Sequence, residues 1–220
     1  MDPVEIDPPA KPPADAAAVG GPALASIAGL RRHLVTSAAA AFTDWAAVLA
    51  GPALILQRGR FAASDLRPWL GALAILQWDP GAGDYRYRLF GTHWAASLGR
   101  DLTGRPLAAW PAKIARAIRE RVDGVVVSGR PVGAHVAVAL AIDGQVRRGH
   151  TVFEQVVWPL CYGPGMPSAV IALAVPVPGS TGLTAASLLS ATGRRSRWFD
   201  ADGRALPGVD GPASEAALRR

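Results

Sequence analysis

The sequence predicts an α+β domain: a five-stranded antiparallel sheet with helices inserted between its second and third strands, preceded by one amphipathic helix. Three observations carry this. Five segments, 71–78, 85–90, 132–141, 149–160 and 169–175, have β composition. The turns joining neighbouring segments are too short for the crossover that a parallel pair needs. The one long gap, between Phe90 and Val132, holds helical periodicity instead.

Residues 1–25 are rich in Pro, Ala and Asp and hold few large apolar groups, too little surface to offset ordering entropy, so a disordered leader is expected. The domain itself is expected over 26–175. Leu34, Ala38, Phe42, Trp45 and Leu49 follow Leu30 at intervals of three or four, lining one face of a helix over 30–50 that Gly51-Pro52 ends. Ser64-Asp65 offers an N-cap for a short helical turn through Leu70, with Pro68 restricting the backbone of Arg67. The turn-rich run 79–84 then joins two strands into a hairpin. Strict alternation puts Tyr85, Tyr87 and Leu89 on one face and Arg86, Arg88 and Phe90 on the other.

Residues 92–98 make about two helical turns closed by Gly99, and 101–106 form a loop with a second glycine, Gly104. In the helix over 111–126, Ile114, Ile118, Val122 and Val125 form a stripe opposite Lys113, Arg116, Arg119, Glu120 and Asp123. Gly129-Arg130-Pro131 stops it. The last three strands are separated by Asp143-Gly144 and by Gly163-Pro164-Gly165. Segments 132–141 and 169–175 are apolar on both alternating faces, so the outer sheet face needs a cover, either the 30–50 helix or the same surface of another chain. Residues 176–220 read as a flexible tail whose large apolar anchors are Leu183, Leu188, Leu189, Trp198 and Phe199. Trp198-Phe199 is either a docking patch or incidental packing.

Composition excludes several classes. The 220 residues are 50% hydrophobic and carry a net charge of +6, in which arginine far outnumbers lysine. That bias, with abundant Ala, Gly and Pro, reads as the product of a GC-rich bacterial genome. One cysteine, Cys161, allows no internal disulfide and fits a reducing cytoplasm. The amino terminus lacks the charged start of a secretory signal, and the apolar run 36–57 contains Asp44 and breaks at Gly51-Pro52, short of the ~20 residues a membrane span needs.

Three stretches carry a resemblance: Leu66-Arg67-Pro68-Trp69-Leu70, Tyr85-Arg86-Tyr87-Arg88-Leu89-Phe90-Gly91-Thr92, and Leu98-Gly99-Arg100-Asp101-Leu102-Thr103-Gly104. With Gly129-Arg130-Pro131-Val132 and the run from Phe153-Glu154 to Pro159-Leu160, the chain resembles the bacterial PAS-like family called PAS family 5, over about residues 40–175. The resemblance implies a PAS-like fold used for ligand sensing and protein association, and implies no catalytic activity. Its motif positions here are Arg67, Pro68, Arg88, Gly91, Thr92, Gly99, Arg100, Asp101, Gly104, Glu154 and Pro159. The third strand departs from the family, whose version is charged: 132–141 is apolar save for His135.

A pocket between the helices and the sheet would draw on Tyr87, Trp94, Leu98, Leu102, Trp110, Ile114, Ile118 and Phe153, suited to a small apolar or flat ligand. The plainer reading of the same residues is filled core. Arg88 is placed to pair with Asp101 or a ligand carboxylate. Glu154, among apolar neighbours, is expected to be partly buried and to pair with Arg88 or Arg148. His33, His93, His135 and His150 show no metal-ligand spacing, and no cofactor is expected. No nucleophile or Walker pattern indicates an enzyme. The basic residues are scattered, without the aromatic interleaving of a nucleic-acid face. The expected role is therefore a cytoplasmic regulatory module acting in trans, without an output domain of its own. It would bind a small apolar ligand, form a homodimer, or dock on a signalling-protein partner through the outer sheet face and the 30–50 helix.

Overall fold

Periodicity predicts one helix over 30–50, and the chain instead makes two, α1 (Ala28–Arg31) and α2 (Ser37–Ala50). The break has a local cause. Thr36 is extended, at φ −97° and ψ 140°, and caps α2 by accepting the Ala39 N–H on its hydroxyl at 3.2 Å. The Val35 and Thr36 N–H groups turn to the carboxylate of Glu154, each at 2.7 Å. A buried acceptor has outbid helix propensity. On α2 the buried face is Ala39, Ala40, Phe42, Thr43, Ala46, Ala47 and Ala50, so small side chains let the helix approach the sheet closely, and Leu34, Ala38, Trp45 and Leu49 pack at its flank.

The computed structural model describes residues 23–142, 145–179 and 194–206. Nearly all of the expected leader, the Asp143-Gly144 turn, and Leu183, Leu188 and Leu189 lie outside the described residues. After α2 come β1 (Leu56–Gln57), a 3-10 helix over Ala63–Ala72, β2 (Leu73–Asp79), β3 (Asp84–Phe90), α3 (Thr92–Leu98), a 3-10 turn at Leu107–Ala109, α4 (Ala112–Ser128), β4 (Val132–Ile142), β5 (Gln145–Cys161), β6 (Ala169–Pro176), β7 (Arg194–Asp200) and β8 (Ala205–Leu206).

Among the described residues the sheet has eight strands rather than the expected five, in the order β3-β2-β6-β5-β4-β7-β8, with β1 parallel to the far end of β5. The five expected strands are the contiguous run β3-β2-β6-β5-β4, all antiparallel, and α3 and α4 fall between the second and third of them. The additions come from outside the expected sheet. Residues 194–206, read from sequence as part of a flexible tail, supply β7 and β8, and β7 pairs with β4 from Val132↔Asp200 to Val138↔Arg194. Left alone, β4 would be an apolar edge with a row of unpaired backbone groups, and β7 removes that edge.

Apolar side chains pack on both faces of the sheet. On the outer face, α2 and the 3-10 helix over Ala63–Ala72 cover Leu73, Ile75, Val156, Trp158, Leu160, Ile171, Leu173 and Val175, with Phe42 and Trp69 edge to face. The chain's own helix, not a second chain, thus covers the outer face over β2, β5 and β6. On the other face the α3–α4 insert covers Leu76, Tyr85, Tyr87, Phe90, Val132, Ala134, Val136, Phe153, Val157 and Val170.

One irregularity reorients β3. Ile75 pairs with Leu89 but Leu76 pairs with Tyr87, so Arg88 is an extra residue, a β-bulge. Alternation predicts Leu89 beside Tyr85 and Tyr87, with Phe90 opposite. The bulge exchanges them: Phe90 joins the tyrosines under the insert and Leu89 packs with the outer core.

Candidate functional site

The residues expected to line a pocket largely converge under the insert. Tyr87, Leu98, Leu102 and Phe153 are buried in one cluster, and Trp94, Trp110 and Ile118 pack against it half-buried. Trp94 meets Phe153 with ring centroids 5.1 Å apart, and its indole N–H donates to the Ala72 carbonyl at 3.2 Å. Trp110 donates its indole N–H to the Tyr87 hydroxyl at 2.9 Å. Burial pushes the Tyr87 phenol up, keeping it neutral. Ile114 is half-buried and is not part of this cluster. The face is aromatic, buried toward the sheet and incompletely covered by its helices.

Further polar links hold the insert to β3. Asp84, 7% exposed, accepts the Tyr85 and Ala108 N–H groups at 2.6 and 3.0 Å and an Arg119 guanidinium nitrogen at 2.5 Å. The Tyr85 hydroxyl donates to Asp123 at 2.7 Å. Arg119 and Asp123, expected on the solvent side of the helix, thus work at its sheet-facing margin. Arg86 bridges Asp79 at 3.0 Å and donates to the Gly104 carbonyl at 2.7 Å, tying the loop to the strand.

A further residue on this face was not anticipated. Arg121 lies on α4 with its guanidinium 4.0 Å over the Trp198 ring centroid, and its Nε and Nη2 are buried without a hydrogen-bond partner. Burial lowers its pKa. The signal was present in the sequence: Arg121 stands three residues after Ile118 and four before Val125, on the stripe itself. Its ring partner belongs to the segment read as tail.

Behind β5, on the outer face, is the second polar centre. Glu154 is fully buried, and its carboxylate accepts the Val35 N–H, the Thr36 N–H, the Thr36 hydroxyl at 2.5 Å and His135 Nε2 at 2.9 Å. Burial alone would raise its pKa, but the bonds from His135, Thr36 and Val35 outweigh that and hold the carboxyl below its ordinary value. This corrects the expected pairing with Arg88, whose Nε donates instead to Gln77 at 2.7 Å because the bulge turns Arg88 to solvent. The Arg148 side chain lies outside the described residues. Arg88 does not pair with Asp101 either: Asp101 accepts the Thr103 N–H at 2.8 Å in the loop.

The other motif positions are structural. A Cβ on Gly91 would lie 2.3 Å from the Gly71 carbonyl oxygen, so the hairpin exit needs glycine there. Thr92 opens α3, Gly99 ends it, and Arg100 donates to the Ala109 carbonyl at 3.1 Å. Gly104 N–H donates to the Tyr87 carbonyl at 2.7 Å. Arg67 is exposed, Pro68 lies inside the 3-10 helix over Ala63–Ala72, and Pro159 is buried opposite Val170. Cys161 is buried, and burial raises its thiol pKa. His93 is exposed and His33 stacks on Phe199 at 4.6 Å. Among the described residues no three of His, Cys, Asp and Glu gather as a metal-binding group, and no helix is long and apolar enough to cross a membrane.

No curated protein and no solved structure matches this chain. The model of PAS family 5, described as a PAS domain, matches residues 33–172, which run from the α1–α2 joint through the insert to β6. An antiparallel sheet of this strand order, a helical insert after its second long strand and a family match over most of the chain lead to one conclusion: the protein belongs to the PAS domain family.

Proposed function

We propose that this chain is a cytoplasmic sensory or regulatory PAS module that catalyses no reaction, takes a small apolar ligand between the α3–α4 insert and the aromatic face of the sheet, and signals occupancy to a protein partner. The supporting observation is the incomplete cover: Trp94, Trp110 and Ile118 are half-buried against a buried aromatic floor of Tyr87, Phe90 and Phe153. A ligand there would complete the burial that the helices leave unfinished. β5 supplies a route outward, because consecutive strand residues face opposite sides. Phe153 meets Trp94 under the insert, and Glu154, the next residue, holds the α1–α2 joint on the other face. A shift of β5 caused by a ligand would therefore be felt at α2, the helix through which the proposed partner would read it.

A nucleic-acid reading rests on the net charge of +6 and finds less support, since Arg31, Arg86, Arg116, Arg119, Arg130 and Arg204 each have a carboxylate within 4 Å. Native mass spectrometry of the freshly purified full chain tests the ligand reading together with thermal unfolding across a panel of aromatic and aliphatic compounds. A compound at about 100 times its Kd stabilises the folded chain by about 2.7 kcal/mol, a rise in Tm of about 5–11 °C for a chain of this size. No bound mass and no shift across the panel would refute it.

A further inference from the structure

We infer that Arg121 is the anchor for a carboxylate, so that the ligand under the insert is an amphipathic acid: an apolar body against the aromatic floor and a carboxylate on the guanidinium of α4. This deepens the proposed function and rests on it. The argument starts from which atoms of Arg121 are unpaired. Nε and Nη2 are the two buried donors without partners. Together they form one edge of the planar guanidinium, with parallel N–H vectors at the spacing of the two oxygens of a carboxylate. Guanidinium N–H groups buried without an acceptor cost free energy that a partner would recover.

Its surroundings leave that edge without an acceptor, and the adjacent Glu120 acts on Arg121 through its charge alone. The neighbouring carboxylates are otherwise engaged: Glu120 lies 3.8 Å from Arg116, Asp123 takes the Tyr85 hydroxyl, and Asp84 takes Arg119. The Trp198 ring, with its centroid 4.0 Å from the guanidinium carbon, supports the cation through its face and leaves the donor edge unused. Location links this edge to the aromatic floor. Ile118, one turn earlier on α4, packs on the same cluster as Tyr87, Phe153 and Trp198. An acid whose apolar part fills that cover reaches Arg121 within one helical turn, about 5.4 Å. Arg rather than Lys suits the role, because a planar fork orients the acid whereas an ammonium only attracts it.

The test compares acids with uncharged analogues of the same shape. Naphthylacetate against naphthylethanol, and decanoate against decanol, are titrated by calorimetry into the full wild-type chain, Arg121→Met and Arg121→Lys. The expected result is that in at least one pair the acid binds wild type about tenfold or more tightly than the alcohol. In Arg121→Met that preference disappears while alcohol binding persists, and Arg121→Lys, keeping the charge but losing the two-donor edge, retains only part of it. A purely structural role for Arg121 predicts a lower-melting Arg121→Met with the acid preference intact, which would overturn the inference. Equal binding of acid and alcohol to wild type also overturns it while leaving the proposed function standing. Binding of neither member of either pair overturns the inference, whereas the proposed function falls only if the wider panel and the native mass are also negative. Should Arg121→Met fail to fold, an unchanged acid preference in Arg121→Lys overturns the inference and a reduced one supports it.

Discussion

Replacing Glu154 with glutamine tests whether one buried carboxylate holds the N-terminal helix to the sheet. In the native chain one oxygen accepts the Val35 N–H and His135, and the other accepts the Thr36 N–H and hydroxyl. A glutamine amide offers one acceptor oxygen. Its NH2 must then face a backbone N–H, which cannot accept, while the Thr36 hydroxyl can rotate to do so. One buried N–H left unpaired costs about 1–3 kcal/mol, and the surviving bonds lose charge assistance, so the expected loss is about 2–4 kcal/mol. Glu154→Ala, which leaves every donor unpaired, should cost about 3–5 kcal/mol. For a chain of this size Glu154→Gln then lowers Tm by about 5–15 °C. Urea denaturation of the full chain at pH 7, followed by tryptophan fluorescence, measures the difference.

The pH dependence supplies a second check. The folded carboxyl titrates below its ordinary value of 4.5, so its contribution is complete above that pH and is lost as the pH falls through the folded value. The gap between wild type and Glu154→Gln should therefore narrow below about pH 4.5. A glutamine variant within about 1 kcal/mol of wild type at pH 7, or a gap that widens in acid, would refute the account of the joint.

Other perturbations probe the remaining links. Gly29→Ala would put a Cβ 1.9 Å from the Asp202 backbone, so α1 and the β7–β8 turn cannot both keep their places. A loss of about 2 kcal/mol or more is expected, with faster hydrogen exchange at Trp198 and Phe199 than elsewhere in the sheet. Asp84→Asn weakens the tie between β3, the Ala108 turn and α4 and should cost about 2–3 kcal/mol in the same urea assay, whereas Arg88→Ala, at the exposed bulge, should change stability by less than about 0.5 kcal/mol. Trp94→Ala removes the ring over Phe153; on the ligand reading it abolishes any ligand-induced Tm shift, and an undiminished shift would count against that site.

Much of the core was legible because its signals are local. Val132–Ile142 and Ala169–Pro176 read as strands from their β-branched runs, the hairpin between Leu73–Asp79 and Asp84–Phe90 announced itself in 79–84, and Ala112–Ser128 showed its stripe. Most of the expected floor residues on regular elements, Tyr87, Leu98 and Phe153 among them, converge for the same reason: faces of regular elements follow from periodicity. Two readings failed on competition rather than on pattern. A helical repeat over 30–50 lost to a carboxylate about 120 residues away in sequence, and alternation in Tyr85–Phe90 lost to a bulge.

The sequence by itself determined the order of the five central strands and the place of the insert, which depend on short-range periodicity and turn chemistry, and its spaced motifs carried the resemblance to the family. Only the tertiary structure decided that residues 194–206 complete the sheet, that Glu154 locks the α1–α2 joint, and that Arg121 sits on Trp198 with an empty donor edge. Each of those joins residues far apart in the chain. A polar group's partner is selected by the cost of burying it unpaired, and that cost exists only once the fold has excluded water.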